Sequence, residues 1–193
     1  MKKLLVVAVL CASAAPLSAE TFQIDPVHSA ITFKVRHMMV SNVGGRFGKF
    51  SGSFDYEKGK PKTWKTEATI DPASLNTDNE QRDGHLKSPD FFDVAKCPVM
   101  SFKSTKVVAV KGDMAKLYGD LTMHCITKPV ILDLEIVGTT SDAKGSHAGA
   151  TATGTIHRKD FDMVWNKTLD AGGVALSDDV QITIEVEGGN KKG

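Results

Sequence analysis

Alternation of apolar and polar side chains is the dominant pattern of this chain. From Ile31 to Val35, an apolar residue occupies every second position. A period of two is typical of a strand with one buried face. The apolar face continues into His37, Met38 and Met39. Such a strand could line a cavity as readily as a packed core.

The same alternation recurs along most of the remaining chain and predicts about eight strands in all. The further segments are residues 50–54, 64–70, 100–108, 117–123, 130–136, 150–156 and 180–186. Turn signals rich in Gly, Pro, Lys and Asp separate several of them. Evenly spaced antiparallel strands predict a sandwich or a closed barrel, and eight strands can enclose one small ligand.

One segment departs from this pattern. Thr77 and Glu80 have the spacing of a capping box, with Thr77 as the cap, which predicts a short helix ending near Leu86. Phe91 and Phe92 follow in an irregular stretch. We expect at least one of these rings to point into a core or cavity, because two solvated phenylalanines would be costly.

The N-terminus has the composition of a secretory signal peptide. A basic start precedes the apolar run Leu4–Leu10, and small residues follow as far as Ala19. We expect cleavage after Ala19, which leaves residues 20–193 as one exported, periplasmic domain. The run is too short to span a bilayer, and no second apolar run of spanning length follows, so no integral membrane segment is expected.

Composition and spacing exclude several function classes. The formal net charge is +1 and the charged residues are dispersed, so there is no basic face for nucleic acid. The sequence has neither a Gly-x-Ser-x-Gly elbow nor a His-x-x-x-His or Cys-x-x-Cys spacing. We therefore expect no metal site and no catalytic cofactor.

Two cysteines lie beyond the signal peptide, Cys97 and Cys125. A hairpin of residues 99–110 and 114–123 around the Lys111–Asp113 turn would bring them opposite each other. An exported protein meets an oxidising compartment, where a disulfide can form. Two separate buried thiols that act as small apolar side chains fit the sequence equally well.

Charged residues near the predicted helix allow two interpretations. Arg82 and Asp83 could fix a loop by ion pairing, and His85 could favour a helix C-terminus. Alternatively, Arg82 or Arg36 could bind an anionic head group through a bidentate contact. A separate hypothesis is that the protein is an enzyme that acts on a small hydrophobic substrate. Its acid or base would then be His85, Asp83 or His37.

Several motifs resemble those of the YceI-like periplasmic proteins, in the order that this family has them. They cover essentially all of the chain after the signal peptide. The matching segments are Ile24-Asp-Pro-Val-His-Ser29, Phe33-Lys-Val-Arg-His37, Val43-Gly-Gly-Arg-Phe-Gly-Lys-Phe-Ser-Gly52, Arg82-Asp-Gly-His-Leu-Lys-Ser-Pro-Asp-Phe-Phe-Asp93, Gly119-Asp-Leu-Thr122 and Thr127-Lys-Pro-Val130.

The resemblance implies an eight-stranded antiparallel, lipocalin-like barrel with a short helix near one end. It also implies an apolar tunnel for an isoprenoid lipid, such as a polyprenyl phosphate or a long-chain quinone, with no catalytic residues. Some members form dimers, so a homodimer is a further expectation. The ligand-binding residues expected on this basis are Phe33, Val35, His37, Met38, Met39, Phe47, Arg82, His85, Phe91, Phe92, Met100, Phe102, Leu121 and Trp165.

Two positions depart from the family pattern. Cys125 stands where the family usually has Gly, and Cys97 replaces a residue before Pro98 that is more often aromatic. The joint appearance of the two cysteines favours the disulfide. A ligand-free barrel with a structural or stress-response role is the main alternative to lipid binding.

Overall fold

The computed structural model describes residues 19–143, 145–170 and 172–191, so the predicted signal peptide lies almost wholly outside it. The described residues form one α-helix, α1 (Glu80–Lys87), and eleven strands. The strands are β1 (Glu20–Ile24), β2 (Ala30–His37), β3 (Ser41–Phe47), β4 (Phe50–Tyr56), β5 (Lys65–Ile70), β6 (Leu75–Asn76), β7 (Met100–Lys111), β8 (Met114–Met123), β9 (Ile126–Ser141), β10 (Gly145–His157) and β11 (Leu176–Lys191).

The eleven strands occupy eight positions in a closed antiparallel barrel. β1 and β2 both pair with β11, so together they act as one bent strand. β3 and β4 form the next bent strand, and β5 and β6 the third. β7 to β11 follow as single strands paired in chain order, and β11 closes the ring. This architecture confirms the predicted eight-stranded barrel.

Side-chain contacts hold the breaks in the bent strands. Between β1 and β2, an Asp25 carboxylate oxygen accepts from the Val27 N–H at 2.8 Å. The Ser29 hydroxyl then donates to the Glu187 carbonyl and accepts from the Glu187 N–H, which returns the chain to β11. The alternation pattern did not predict β1 and β3, because both strands are short and alternate only weakly between apolar and polar residues.

The β7–β8 hairpin has essentially the predicted register. Phe102 lies opposite Leu121, and Val107 lies opposite Leu117. Along β8, the residues of odd number from Ala115 to Met123 are buried, while the intervening residues are more exposed. Side chains of alternate residues in a strand point to opposite faces, and the apolar set therefore faces the barrel interior.

The helix begins two residues later than the capping box predicts. Asn79 is the N-cap, and its side chain accepts from the Arg82 N–H at 2.9 Å. Thr77 is instead buried, and its hydroxyl donates to Asp83 at 2.6 Å. Asp78 has a φ of 59°, so the chain turns sharply between Thr77 and the helix. Among the described residues, no helix has the length and apolarity needed to cross a bilayer.

Strand connections alternate between the two ends of the barrel. One end carries the turn 38–40, α1 with the loop 88–99, the turn 124–125 and the segment 158–175. We call it the mouth end. A disulfide joins Cys97 of the loop to Cys125 of the turn. Cys125 has a φ of 59°, a conformation that favours glycine, in agreement with the glycine usual there in the resembling family.

Candidate functional site

The barrel encloses an apolar cavity of about 630 Å³ that extends towards the mouth end. This volume lies within the range of pockets that take a drug-sized or larger organic ligand. Inward-facing side chains of the strands form most of its wall. The lining residues that belong to strands are Ile31, Thr32, Phe33, Val35, His37, Val43, Phe47, Ile70, Met100, Phe102, Leu121, Met123, Val130, Leu132, Ile156, Leu176, Val180, Ile182 and Ile184.

Alternation places nearly all of these residues on the inner wall, the exception being Thr32, which lies between Ile31 and Phe33 on β2. On β11, Val180, Ile182 and Ile184 line the cavity, whereas Gln181 between the first two is exposed. Val180 lies opposite Val35 of β2. Two neighbouring strands therefore present matched apolar rows to the same space.

α1 and the loop 88–99 complete the wall where β6 and β7 do not pair. Leu86 of the helix and both Phe91 and Phe92 of the loop line the cavity. The Phe92 ring meets the Phe47 ring edge-on at a centroid distance of 5.7 Å. Both adjacent phenylalanines therefore line the cavity, whereas the sequence predicted this of at least one.

Three rings pack together at the mouth. His85 of α1 makes edge-on contacts with Phe91 at 5.1 Å and with Trp165 at 4.8 Å, measured between ring centroids. The other side of the imidazole is held by Asp90, whose carboxylate lies 2.9 Å from Nε2. The cluster joins the helix, the loop 88–99 and the segment 158–175, and it places a polar imidazole beside an apolar cavity.

Arg82 is the second polar group at the mouth. Its Nε donates to the Thr77 hydroxyl and its Nη2 to the Thr77 carbonyl, both at 2.8 Å. Among the described residues, no hydrogen bond occupies Nη1. Two hydrogen bonds therefore hold the guanidinium in place, and Arg82 lines the cavity together with Asn79 and Gln81.

Arg158 is buried at the wall and only 4% exposed. Its guanidinium donates to the carbonyls of Met163, Trp165 and Ser177 and to the Asp178 carboxylate. Burial lowers the pKa of Arg158, and Asp178 acts in the opposite direction. Because Arg158 bonds Met163 and Trp165 on one side and Ser177 and Asp178 of β11 on the other, it ties the segment 158–175 to β11 and holds Met163 and Trp165 at the cavity.

The YceI-like domain matches residues 22–188 of this chain. The chain belongs to the YceI-like family. A UPF0312 protein of Pectobacterium atrosepticum is 37% identical over 96% of this chain and 94% of its own length. The YceI protein of Campylobacter jejuni has a TM-score of 0.71 and 34% identity, covering 81% of this chain and 90% of that one.

A further structural neighbour is more distant in sequence. It is a polyisoprenoid-binding domain from Saccharophagus degradans that is implicated in plant cell wall breakdown. Its TM-score is 0.64 at 15% identity, with coverage of 89% of this chain and 99% of that one. At this identity the likeness concerns the fold.

Most residues expected to bind ligand line the cavity of this YceI-like barrel. These are Phe33, Val35, His37, Phe47, Arg82, His85, Phe91, Phe92, Met100, Phe102, Leu121 and Trp165. Contact with a ligand is a prediction for each of them.

Met38 and Met39 are the two expected wall residues that the structure places elsewhere. They form the tip of the β2–β3 turn, where they are 46% and 49% exposed. Their φ angles of 49° and 60° turn the chain back at this point. The strand alternation therefore ends at His37, and the apolar methionines no longer share its inward face.

Sequence reasoning missed several wall residues that carried a usable signal. Val130, Leu132, Ile156, Val180 and Ile182 all lie in alternating segments, but parity alone did not say which face was inside. Arg158 carried no such signal, because a charged residue after a strand is ordinarily exposed. The other expected head-group arginine, Arg36, is exposed and donates to Asn42 instead.

The titratable residues that line the cavity within the described chain are His37, Arg82, His85 and Arg158. Asp83 does not line it, because its carboxylate is bound by the Thr77 backbone N–H and hydroxyl. This lining set contains no carboxylate, and the carboxylate that contacts His85 belongs to Asp90, which does not line the cavity.

Proposed function

We propose that this chain is a non-catalytic binding protein that holds an amphipathic isoprenoid lipid in the barrel cavity. The apolar tail lies among the inward-facing strand residues, and the head group lies at the mouth near Arg82, His85 and His37. A polyprenyl phosphate or a long-chain quinone has this division into head and tail. Transport, storage or a stress response are the roles that such binding serves.

The size and lining of the cavity carry this proposal. If nothing filled an apolar space of about 630 Å³, the side chains that line it would have no packing partners on that side. Water gains little from an apolar wall, whereas each buried CH₂ of a lipid tail contributes about 0.8 kcal/mol. The same volume argues against a filled, purely structural barrel.

The position of the polar groups supports an amphipathic ligand. Arg82 and His85 lie on α1 at the mouth, and the strand residues deeper in the barrel are almost entirely apolar. A guanidinium with unused donors suits a phosphate or a quinone carbonyl. The polyisoprenoid-binding neighbour of the same fold and the signal-peptide composition support a lipid-binding protein that acts outside the cytoplasm.

A matched pair of substitutions on β11 tests the proposal. Val180→Trp places an indole in the cavity, while Gln181→Trp places the same group on the outer face. The indole of V180W should weaken binding of a polyprenyl phosphate by about tenfold or more, since displacing even two CH₂ groups costs that much. Q181W should bind as the wild type does. Equal affinities of V180W and Q181W for the polyprenyl phosphate would show that the tail binds outside the barrel.

The head-group assignment has its own test. Arg82→Gln should weaken binding of a polyprenyl phosphate more than binding of the corresponding uncharged prenol, because only the phosphate gains a charge-assisted contact. Isothermal titration with both ligands measures the difference. An equal effect on the two ligands would remove Arg82 from the head-group site and leave the cavity proposal standing.

A further inference from the structure

A second, smaller apolar chamber of about 120 Å³ lies deeper in the barrel, away from the mouth. Its wall includes Phe54, Trp64, Leu117 and Ala152, none of which line the main cavity. Most of its lining residues are apolar, and the exceptions are Asp55, Tyr56, Lys65 and Thr66. No charged side chain comes from the faces of β9, β10 or β11 that line this chamber. It suits the distal end of a hydrocarbon chain better than a second head group.

A belt of five side chains separates the two chambers. These side chains line both the main cavity and the second chamber: Ile31, Ile70, Phe102, Leu132 and Ile184. They come from β2, β5, β7, β9 and β11, so the belt surrounds the barrel interior. Anything that passes from the mouth into the second chamber must pass these residues.

Phe102 is the largest member of the belt, and a glycine makes room for its ring. A Cβ built on Gly119 would lie 2.3 Å from Cζ of Phe102 and 2.5 Å from its Cε2. Any side chain at that position would therefore drive the ring away from the wall. With glycine there, the phenyl group rests against β8.

We infer that the second chamber determines how long a lipid tail the barrel accepts, because it takes the end of the tail beyond the belt in which Phe102 rests on Gly119. This inference rests on the proposed lipid-binding function. A short tail is held by the main cavity alone. A longer tail passes the belt and gains the additional burial of its last units, so affinity rises with length until both chambers are filled.

The two tryptophans of the chain allow each chamber to be observed separately. Trp165 lines the main cavity, and Trp64 lines the second chamber. The sequence contains no other tryptophan. Trp64→Phe leaves a reporter of the main cavity, and Trp165→Phe leaves a reporter of the second chamber. Fluorescence titrations with farnesol, as the short prenol, and solanesol, as the long one, then follow tail entry.

Farnesol should change the emission of Trp165 alone, whereas solanesol should change the emission of both tryptophans. Ala152→Leu, which fills the second chamber, should abolish the Trp64 response and weaken solanesol binding by about tenfold. It should leave the affinity for farnesol unchanged. Ala150→Leu fills the same chamber from the next inward position of β10 and serves if A152L does not fold.

Different failures overturn different claims. If solanesol changes Trp165 but not Trp64, or if A152L and A150L weaken both prenols equally, the second chamber takes no tail and the inference is wrong. In either case the proposed function survives. If neither prenol changes Trp165 emission, the proposed function fails and this inference fails with it.

Discussion

Two parts of the barrel wall are built by different means. β7 to β11 form a ladder wall, in which long neighbouring strands pair over most of their length, with register shifts only in the β7–β8 and β9–β10 pairs. The remaining wall, which we call the irregular wall, comprises the broken strands β1 to β6, α1, the loop 88–99 and the segment 158–175. Individual side chains hold its path, among them Arg158, the Cys97–Cys125 disulfide and Asp25.

The comparison shows what each kind of wall contributes to the site. The ladder wall supplies much of the apolar surface, because backbone pairing fixes every second residue on the inner face. The irregular wall supplies Arg82, His85 and the aromatic cluster at the mouth. Since few ladder bonds support those groups, single substitutions should affect the irregular wall strongly and the ladder wall weakly.

Loss of Arg158 should have the largest effect. Arg158→Met leaves the carbonyls of Met163, Trp165 and Ser177 without their donor, at a cost of about 1–3 kcal/mol for each carbonyl that stays buried. Urea unfolding measures this loss. Lys159→Met is the matched control, because exposed Lys159 also contacts Asp178, at 2.8 Å, and should cost under about 1 kcal/mol. Equal losses would show that Arg158 is not the anchor of this segment.

Removal of the disulfide should have the next largest effect. Replacing Cys97 and Cys125 by alanine should lower the free energy of unfolding by about 2–4 kcal/mol, because the cross-link restricts the unfolded chain. It should also weaken lipid binding, since the loop 88–99 carries Phe91 and Phe92. A reducing agent should reproduce the effect in the wild type and change nothing in the double variant. A wild type indifferent to reduction would contradict this role.

The β2–β3 turn offers a gain of stability. Met38 and Met39 both have positive φ angles, for which Asn-Gly is the preferred pair in a tight hairpin. The double substitution Met38→Asn with Met39→Gly should raise the free energy of unfolding by about 1 kcal/mol. Lipid affinity should not change, because neither methionine lines the cavity. Val40→Asn, one residue further on, is the control and should change the free energy of unfolding little. A loss of lipid affinity in the double variant alone would show that Met38 and Met39 contact the lipid.

The smallest expected effect concerns His28 and Asp25, in the break between β1 and β2. The hydrogen bond between their side chains raises the pKa of His28 above 6.5 and lowers that of Asp25 below 3.8. Their stabilisation is therefore lost as the pH rises through the raised His28 pKa or falls through the lowered Asp25 pKa. Because both groups are exposed, the change is small. NMR titration of the imidazole checks it, and an unchanged His28 pKa in Asp25→Asn would contradict the assignment.

Much of the fold followed from the sequence, because its period is simple. The turn at Lys111–Asp113 predicted the β7–β8 register, and alternation placed Ile31, Phe33 and Val35 together on one buried face. The breaks that divide three barrel strands were not, since they depend on contacts between distant residues such as Ser29 and Glu187. The N-cap is Asn79 and not Thr77, because the Thr77 hydroxyl is bonded to Asp83 and Arg82 instead.

The candidate site was predictable to a lesser degree. The expected ligand-binding residues included His85, Phe91 and Trp165, and the structure packs their rings together. Arg158 could not be found, because only the folded chain surrounds it with carbonyl acceptors. Met38 and Met39 lie in a turn and not in the cavity wall. The alternation of apolar residues does not indicate where the strand ends and this turn begins.

Native mass spectrometry of the protein purified from its own cells, followed by organic extraction, tests the central claim most directly. We expect a bound species whose extracted mass corresponds to an isoprenoid lipid, and we expect its loss in Val180→Trp but not in Gln181→Trp. A ligand-free mass under gentle ionisation, together with no uptake of added polyprenyl phosphate or quinone, would contradict the account.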